Sequence, residues 1–291
     1  MGVVRRESAR AVGGWAFMTL ALTGSTGHLG GRVAAQLSDL APILLVRDAS
    51  RAPDIAGSEV RLAPYGPDVG DALEGVDTLF MVSAAEAFDR RDQHRAFIDA
   101  AARAGVGHIV YTSFSGASPD ADFTLGRDHA DAEEAIKHSG MAYTLLRDNF
   151  YADLVPYFAD EQGVIRGPAG DGRVAAVARA DVADVAAVVL RDPSTHAGAT
   201  YELTGPEALT MAEIAARAGK VLGRELSFHD ETVDEAYASR SSYGAEQWQL
   251  DAWVSTYTAI RNGEVARVTD DVERVTGHPA RTLEQSLTGD G

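Results

Sequence analysis

The sequence predicts an α/β protein: a Rossmann-type doubly wound parallel sheet with a smaller, mostly helical C-terminal lobe. Three observations predict it. The run Thr19-Leu20-Ala21-Leu22-Thr23 leads directly into glycines at Gly24, Gly27 and Gly30. Apolar runs at Ile43–Val46, Thr78–Val82, His108–Tyr111 and Tyr143–Leu146 are continuous rather than alternating, as parallel strands covered on both faces require. Helix-period segments separate them, among them Asp92–Ala104, which puts Phe97, Ala101 and Ala104 on one side. A sheet wound in this way places its ligand crevice beyond the carboxyl ends of the strands.

The first strand–loop–helix unit has the form of a phosphate cradle. Leu29, Val33 and Leu37 recur at i, i+4, i+8 and begin a helix at once after the glycines. Gly24 permits the turn, Gly27 lets backbone approach a pyrophosphate, and Gly30 lets helix pack on strand. Ser25, Thr26, His28 and Leu29 complete the loop and helix start, so they join the glycines as candidate cofactor contacts. The second strand ends in Arg47-Asp48, where a ribose reader falls. An arginine clamps a 2′-phosphate, and an acid accepts a 2′-hydroxyl. Because Arg47 comes first, NADP(H) is the expected cofactor, with NAD(H) the alternative if Asp48 is the reader.

The later strand tips supply the remaining candidates. Ser83, within Met81-Val82-Ser83-Ala84, is small enough to pass beneath a nucleoside. Thr112 and Ser113 end the fifth strand and offer hydroxyls to a substrate or nicotinamide, or else cap a loop. His129 shares a helix face with Ala132 and Ile136, and Asp131, Glu134 and His138 share another; such a histidine is either a satisfied core residue or a functional one. Asn149, Phe150 and Tyr151 follow the sixth strand and are expected at the nicotinamide end, the alternative being a helix cap followed by core aromatics. Gly163–Gly172, with four glycines and Pro168, reads as a loop gating the cleft. A helix beyond Asp181, a strand at Tyr201–Thr204, and helices at Leu209–Val221 and Trp248–Ile260 complete the chain, with Trp253 and Tyr257 at i, i+4 as lobe core, the alternative being a substrate wall on which a planar acceptor stacks. The expected organisation is a disordered extension at 1–17, a dinucleotide-binding domain at 18–150 completed by about 180–205, and a substrate lobe from 151–179 and 206–291.

Composition removes several function classes. A net charge of −17 argues against a nucleic-acid partner, which needs a basic face. Zero cysteines exclude disulfides and thiolate chemistry, and no metal site is expected. No stretch approaches the roughly 18 uninterrupted apolar residues of a membrane span. A cytoplasmic protein acting on a small molecule is expected, and a homodimer is compatible with the reading.

Taken together, these motifs resemble the NmrA-like branch of the atypical short-chain dehydrogenases/reductases, and within it the bacterial type 2 NAD(P)H:quinone oxidoreductases. The resemblance rests on Leu22-Thr23-Gly24-Ser25-Thr26-Gly27-His28-Leu29-Gly30, Leu45-Val46-Arg47-Asp48, Ile109-Val110-Tyr111-Thr112-Ser113 and Tyr143-Thr144-Leu145-Leu146-Arg147-Asp148-Asn149-Phe150-Tyr151. It continues through Gly170-Asp171-Gly172-Arg173, Arg179-Ala180-Asp181-Val182-Ala183 and Tyr201-Glu202-Leu203-Thr204-Gly205. It implies NADPH at the Gly24 loop, Arg47 near the 2′-phosphate and a cleft closed by the C-terminal lobe. One departure from the wider superfamily stands out. Its proton donor is a tyrosine four residues before a lysine, whereas Lys137 and Lys220 here follow Glu133 and Ala216 at that spacing. His129 stands where related reductases carry the lysine. The resemblance therefore implies a quinone-like or aromatic carbonyl acceptor, with His129 or solvent supplying protons and Ser113 and Tyr151 as further catalytic candidates. A non-catalytic NAD(P)-sensing regulator and a pathway-specific ketone or enone reductase are the alternatives.

Overall fold

Seven parallel strands form the central sheet, in the order β3-β2-β1-β4-β5-β6-β9. The structure is a computed structural model that describes residues 18–289, so the expectation for 1–17 lies outside the described residues. The chain runs through β1 (Leu20–Thr23), α1 (His28–Gln36), β2 (Ile43–Val46) and β3 (Val60–Leu62), then crosses to β4 (Thr78–Met81). It continues through α2 (Arg90–Ala104), β5 (His108–Phe114), α3 (Thr124–His138) and β6 (Ala142–Asp148). β7 (Val164–Gly167) and β8 (Arg173–Val174) leave the sheet, and α4 (Arg179–Arg191) and β9 (Thr200–Leu203) return to it. The C-terminal part holds β10 (Leu209–Thr210), α5 (Met211–Leu222), β11 (Ser227–Asp230), α6 (Val233–Arg240), α7 (Gln247–Arg261), α8 (Asp271–Thr276) and α9 (Leu283–Thr288). Winding reverses between β1 and β4, which opens the crevice beyond their carboxyl ends.

The continuous apolar runs follow from burial on both faces. Leu22, Leu29, Phe80, Val110 and Leu146 pack with Val182 and Val189 of α4. Their neighbours Ala21, Leu79, Ile109 and Leu145 pack with Phe97 of α2 and Ile136 of α3 on the other side. β5 and β6 extend past the expected apolar runs, through Thr112–Phe114 and Arg147–Asp148. The polar side chains can stay in strand because each finds a buried partner across the fold.

A third apolar cluster gathers Phe114, Phe123, Ile165, Ile214, Tyr257 and Leu283 in the lobe. There β7 pairs in parallel with β11 and β8 antiparallel with β10. The expected gating loop at Gly163–Gly172 is therefore corrected: its first half is β7. Three of its four glycines serve close packing. A Cβ on Gly163 would lie 2.3 Å from the Glu225 carbonyl oxygen, on Gly167 2.4 Å from the Tyr257 ring, and on Gly172 2.3 Å from the Ile260 carbonyl oxygen. α5 begins two residues later than expected because Thr210 is its cap, accepting from Glu213 N–H while Glu213 reaches back. α6 and α9 start in the same way at Thr232 and Thr282, and α7 at Glu246. No helix among the described residues is long and apolar enough to cross a membrane.

Candidate cofactor and substrate site

The three loop glycines answer to different constraints. Gly24 has φ +67°, a region that L side chains avoid, and a Cβ there would lie 2.9 Å from the Val82 Cβ. On Gly30 it would lie 2.3 Å from the Gly24 carbonyl oxygen. On Gly27 the nearest atom would be 3.4 Å away, an ordinary contact, so the protein itself does not require glycine there. Gly27 is the exposed N-cap of α1, with no side-chain cap and no acidic residue in the first turn. The first-turn N–H groups therefore face outward with the positive end of the helix dipole. Ser25 is buried beside them, its Oγ without a partner. Thr26 and His28 are exposed, whereas Leu29 turns its side chain into the core and leaves only backbone to the loop. These features fit a dinucleotide pyrophosphate. At the tip of β2, Asp48 accepts from Ser50 N–H at 3.0 Å and Ser50 Oγ–H at 2.7 Å. Arg47 is exposed and makes no ion pair among the described residues, so it is the side chain available to a 2′-phosphate.

The segment leaving β4 is tied down along its backbone. Val82 N–H donates to Thr23 Oγ1 at 2.8 Å, and the Tyr65 hydroxyl donates to the Val82 carbonyl. Ser83 N–H donates to Thr112 Oγ1 at 2.8 Å, Ala84 N–H donates to His94 Nε2 at 2.9 Å, and Arg90 Nε donates to the Ala84 carbonyl at 2.9 Å. This strap carries Ser83 across the strand ends. Trp253 Nε1 reaches Glu86 Oε2 at 3.4 Å and links the lobe to the segment that follows. Nearby, Phe88, Leu125, Asp128 and Trp248 line a cavity of about 200 Å³ between strap, α3 and α7.

Beneath the strap, Arg90 Nη2 lies 3.1 Å from His129 Nε2, and His129 Nδ1 lies 3.1 Å from the Tyr111 hydroxyl. Arginine only donates, so Nε2 accepts and the ring proton sits on Nδ1, donated to Tyr111. Burial and the nearby Arg90 charge push the His129 pKa well below its usual value. One turn along α3, Glu133 accepts from Ser113 Oγ at 2.6 Å and from Arg147 Nε and Nη2, both at 2.7 Å. Burial alone would raise the Glu133 pKa, but the Arg147 and Ser113 hydrogen bonds outweigh it and hold it low.

Where β5 and β6 end, Phe150 packs against Phe114 and Phe123 with ring centroids 4.9 and 5.2 Å apart. Asn149 donates from Nδ2 to the Val265 carbonyl at 3.0 Å and accepts Phe150 N–H at 2.8 Å. The Tyr151 hydroxyl donates to Asp148 Oδ2 at 2.8 Å. Asp148 is 6% exposed, and burial pushes its carboxyl pKa up to about 8.

Residues 24–193 match a protein family described as NAD(P)H-binding. The chain belongs to that NAD(P)H-binding family. It is 33% identical to quinone oxidoreductase 2 of Escherichia coli (strain K12) over 282 residues, covering 92% of this chain and 97% of that protein. It is 32% identical to the NAD(P)H azoreductase of Xenophilus azovorans over 276 residues, covering 90% and 94%. The crystal structure of E. coli quinone oxidoreductase 2 complexed with NADPH superimposes with a TM-score of 0.83, covering 93% of this chain and 99% of that one.

In this NAD(P)H-binding protein four of the expected site residues are buried, with partners within the protein. Thr112 is buried and its hydroxyl oxygen accepts from Ser83 N–H, holding the strap. Ser113 is buried and donates its hydroxyl to Glu133. Asn149 uses both ends of its amide on the turn and the lobe. His129 is neutral with both nitrogens occupied, so it is no proton source. Its side chain is expected to show no titration between pH 5 and 8 in histidine NMR spectra; a midpoint near 6.5 would restore it as an acid. Tyr65, His94, Arg90 and Asp148 escaped the sequence reading. Arg90 and His94 could have been found as polar residues at i, i+4 on the apolar face of α2.

Proposed function

We propose that the protein is an NADPH-dependent oxidoreductase that passes hydride to a quinone or a similarly conjugated carbonyl acceptor. The observation that carries this reading is the missing tyrosine–lysine pair: neither lysine follows a tyrosine at the spacing that ketone reduction uses, and the histidine in the lysine's place is neutral. Hydride addition to a simple ketone leaves a strongly basic alkoxide that needs a positioned acid. Addition to a quinone leaves a delocalised phenolate on an aromatic ring, with a far smaller demand. The names of the two relatives, a quinone oxidoreductase and an azoreductase, support a conjugated acceptor. The acidic composition suits a cytoplasmic setting.

NADPH, when bound, supplies the hydride from its nicotinamide ring. Gly27 backbone, the first turn of α1 and Ser25 hold the pyrophosphate, and Arg47 clamps the 2′-phosphate. The strap sets the height of Ser83 under the nucleoside. Phe114, Phe123 and Phe150 form an apolar wall that excludes water and suits a planar acceptor.

Purified protein is expected to oxidise NADPH saturably in the presence of benzoquinones or naphthoquinones, above the spontaneous rate. Tight calorimetric binding of NADPH without turnover would favour the second reading, a regulator that senses NAD(P), which the same missing acid pair also suits. Arg47→Ala is expected to weaken NADPH about 10- to 100-fold, the worth of a charged hydrogen bond, and to leave NADH unchanged. An unchanged preference would move the reader to Asp48.

A further inference from the structure

We propose that Asp148, at the tip of β6, is the proton donor of this site and protonates the acceptor oxygen, with Tyr151 as its positioning residue. The proposal rests on the reductase reading above. Side chains alternate along a strand, so Asp148 shares the face of Leu146, which packs in the same cluster as Leu22 and Leu29 of the glycine-loop unit. Its carboxyl therefore stands at the carboxyl end of the sheet, on the face that carries α1. β6 lies three strand spacings from β1, about 14 Å, on the β4 side of the point where the winding reverses.

Asp148 is the exception among the buried acids. Glu133, Asp181, Glu231 and Asp271 each pair with an arginine: Arg147, Arg281, Arg240 and Arg274. Among the described residues Asp148 has no ion pair, and its one side-chain hydrogen bond comes from Tyr151. Arg179 lies 5.9 Å from the Tyr151 ring centroid, over its face, and pairs with Asp153 at 2.7 Å. Tyr111 of β5 is close enough that the Asp148 charge contributes to raising the Tyr111 pKa. An ionised carboxylate buried without a cation is costly, and protonation removes the cost. The Tyr151 hydroxyl donates, so Oδ2 acts as the carbonyl oxygen. The Asp148 proton then sits on Oδ1, which has no hydrogen-bond partner among the described residues.

The step balances. Hydride leaves NADPH with two electrons, oxidising it to NADP⁺ and reducing the quinone to the hydroquinone monoanion. The Oδ1–H bond of Asp148 breaks as its proton forms the new O–H bond on the acceptor. The resulting carboxylate keeps the Tyr151 hydrogen bond and is reprotonated from water.

The test uses full-length wild type, Asp148→Asn and Tyr151→Phe. With a benzoquinone, wild-type kcat/KM is expected to fall as pH rises past about 8, the value at which Asp148 loses its proton. Asp148→Asn is expected to lose that limb and at least tenfold in kcat, with NADPH binding by calorimetry unchanged. Tyr151→Phe is expected to move the limb to higher pH, because the phenol hydrogen bond favours the carboxylate. Thermal melts read the proton without turnover. The folded acid keeps a proton that the unfolded chain releases, so wild type loses stability relative to Asp148→Asn as pH rises from about 4 to 8. Wild type without turnover on any quinone would remove the reductase reading and, with it, the donor role, while the melts still report the protonation state. Wild-type turnover with Asp148→Asn retaining both rate and limb would overturn the donor role alone. If Asp148→Asn does not fold, infrared spectra of wild type decide: a protonated carboxyl band at pH 7 that vanishes above pH 9 supports the proposal, and its absence at pH 7 overturns it.

Discussion

Gly30→Ala is expected to abolish NADPH binding and to destabilise the protein by about 3 kcal/mol, the upper end for an overpacked site. The added methyl would lie 2.3 Å from the Gly24 carbonyl oxygen and 2.5 Å from its carbon. Both are backbone atoms, so no rotamer relieves the clash, and the helix must shift away from the loop it cradles. Gly27→Ala is the contrasting variant. Its methyl meets nothing closer than 3.4 Å, and its φ of −100° suits any residue. Its melting behaviour is expected to stay within about 0.5 kcal/mol of wild type, as surface substitutions do. NADPH affinity is expected to fall at least tenfold, because the methyl occupies the approach to the pyrophosphate. Thermal melts and calorimetric titrations of both variants separate the roles, and Gly27→Ala binding NADPH as tightly as wild type would take the pyrophosphate away from this loop.

Glu133→Ala is expected to cost about 3 kcal/mol in denaturant unfolding, the range for removing one partner of a buried ion pair. Glu133 joins three elements, accepting from Ser113 of β5 and twice from Arg147 of β6, with Lys137 at 3.4 Å from its own helix. Arg147 keeps Glu202 at 3.1 Å, which limits the loss. Glu133→Gln retains the shape and isolates the charge. Because the Glu133 pKa is held below that of an ordinary glutamate, the wild-type advantage over Glu133→Gln is present above pH 5 and shrinks as pH falls through the acid range. A loss below 1 kcal/mol in Glu133→Ala, or an advantage that grows on acidification, would show that the network does not hold the strand tips. Since Asp148 follows Arg147 directly, the same variant is expected to lower kcat as well as stability.

The sequence by itself determined six of the seven strands of the central sheet, missing the short β3 at Val60–Leu62, together with the glycine loop and the arginine at the tip of β2. Those features are local: strand runs, glycines three apart and helical stripes are set by backbone sterics and by periods of two and 3.6. The tertiary structure alone decided which polar groups remain free. Thr112, Ser113, His129 and Asn149 all stand near strand tips, yet their partners Ser83, Glu133, Arg90 and Val265 lie 29, 20, 39 and 116 residues away in sequence. A hydroxyl or ring nitrogen next to a crevice is chemically available only if nothing buried claims it first, and that claim comes from another element. Asp148 is the converse case: its neighbours in sequence include Arg147, but alternation along β6 turns that arginine to the opposite face, toward Glu133. The acid is left with a nearby tyrosine for its partner because, among the described residues, no other element brings it a cation, and no local pattern records that.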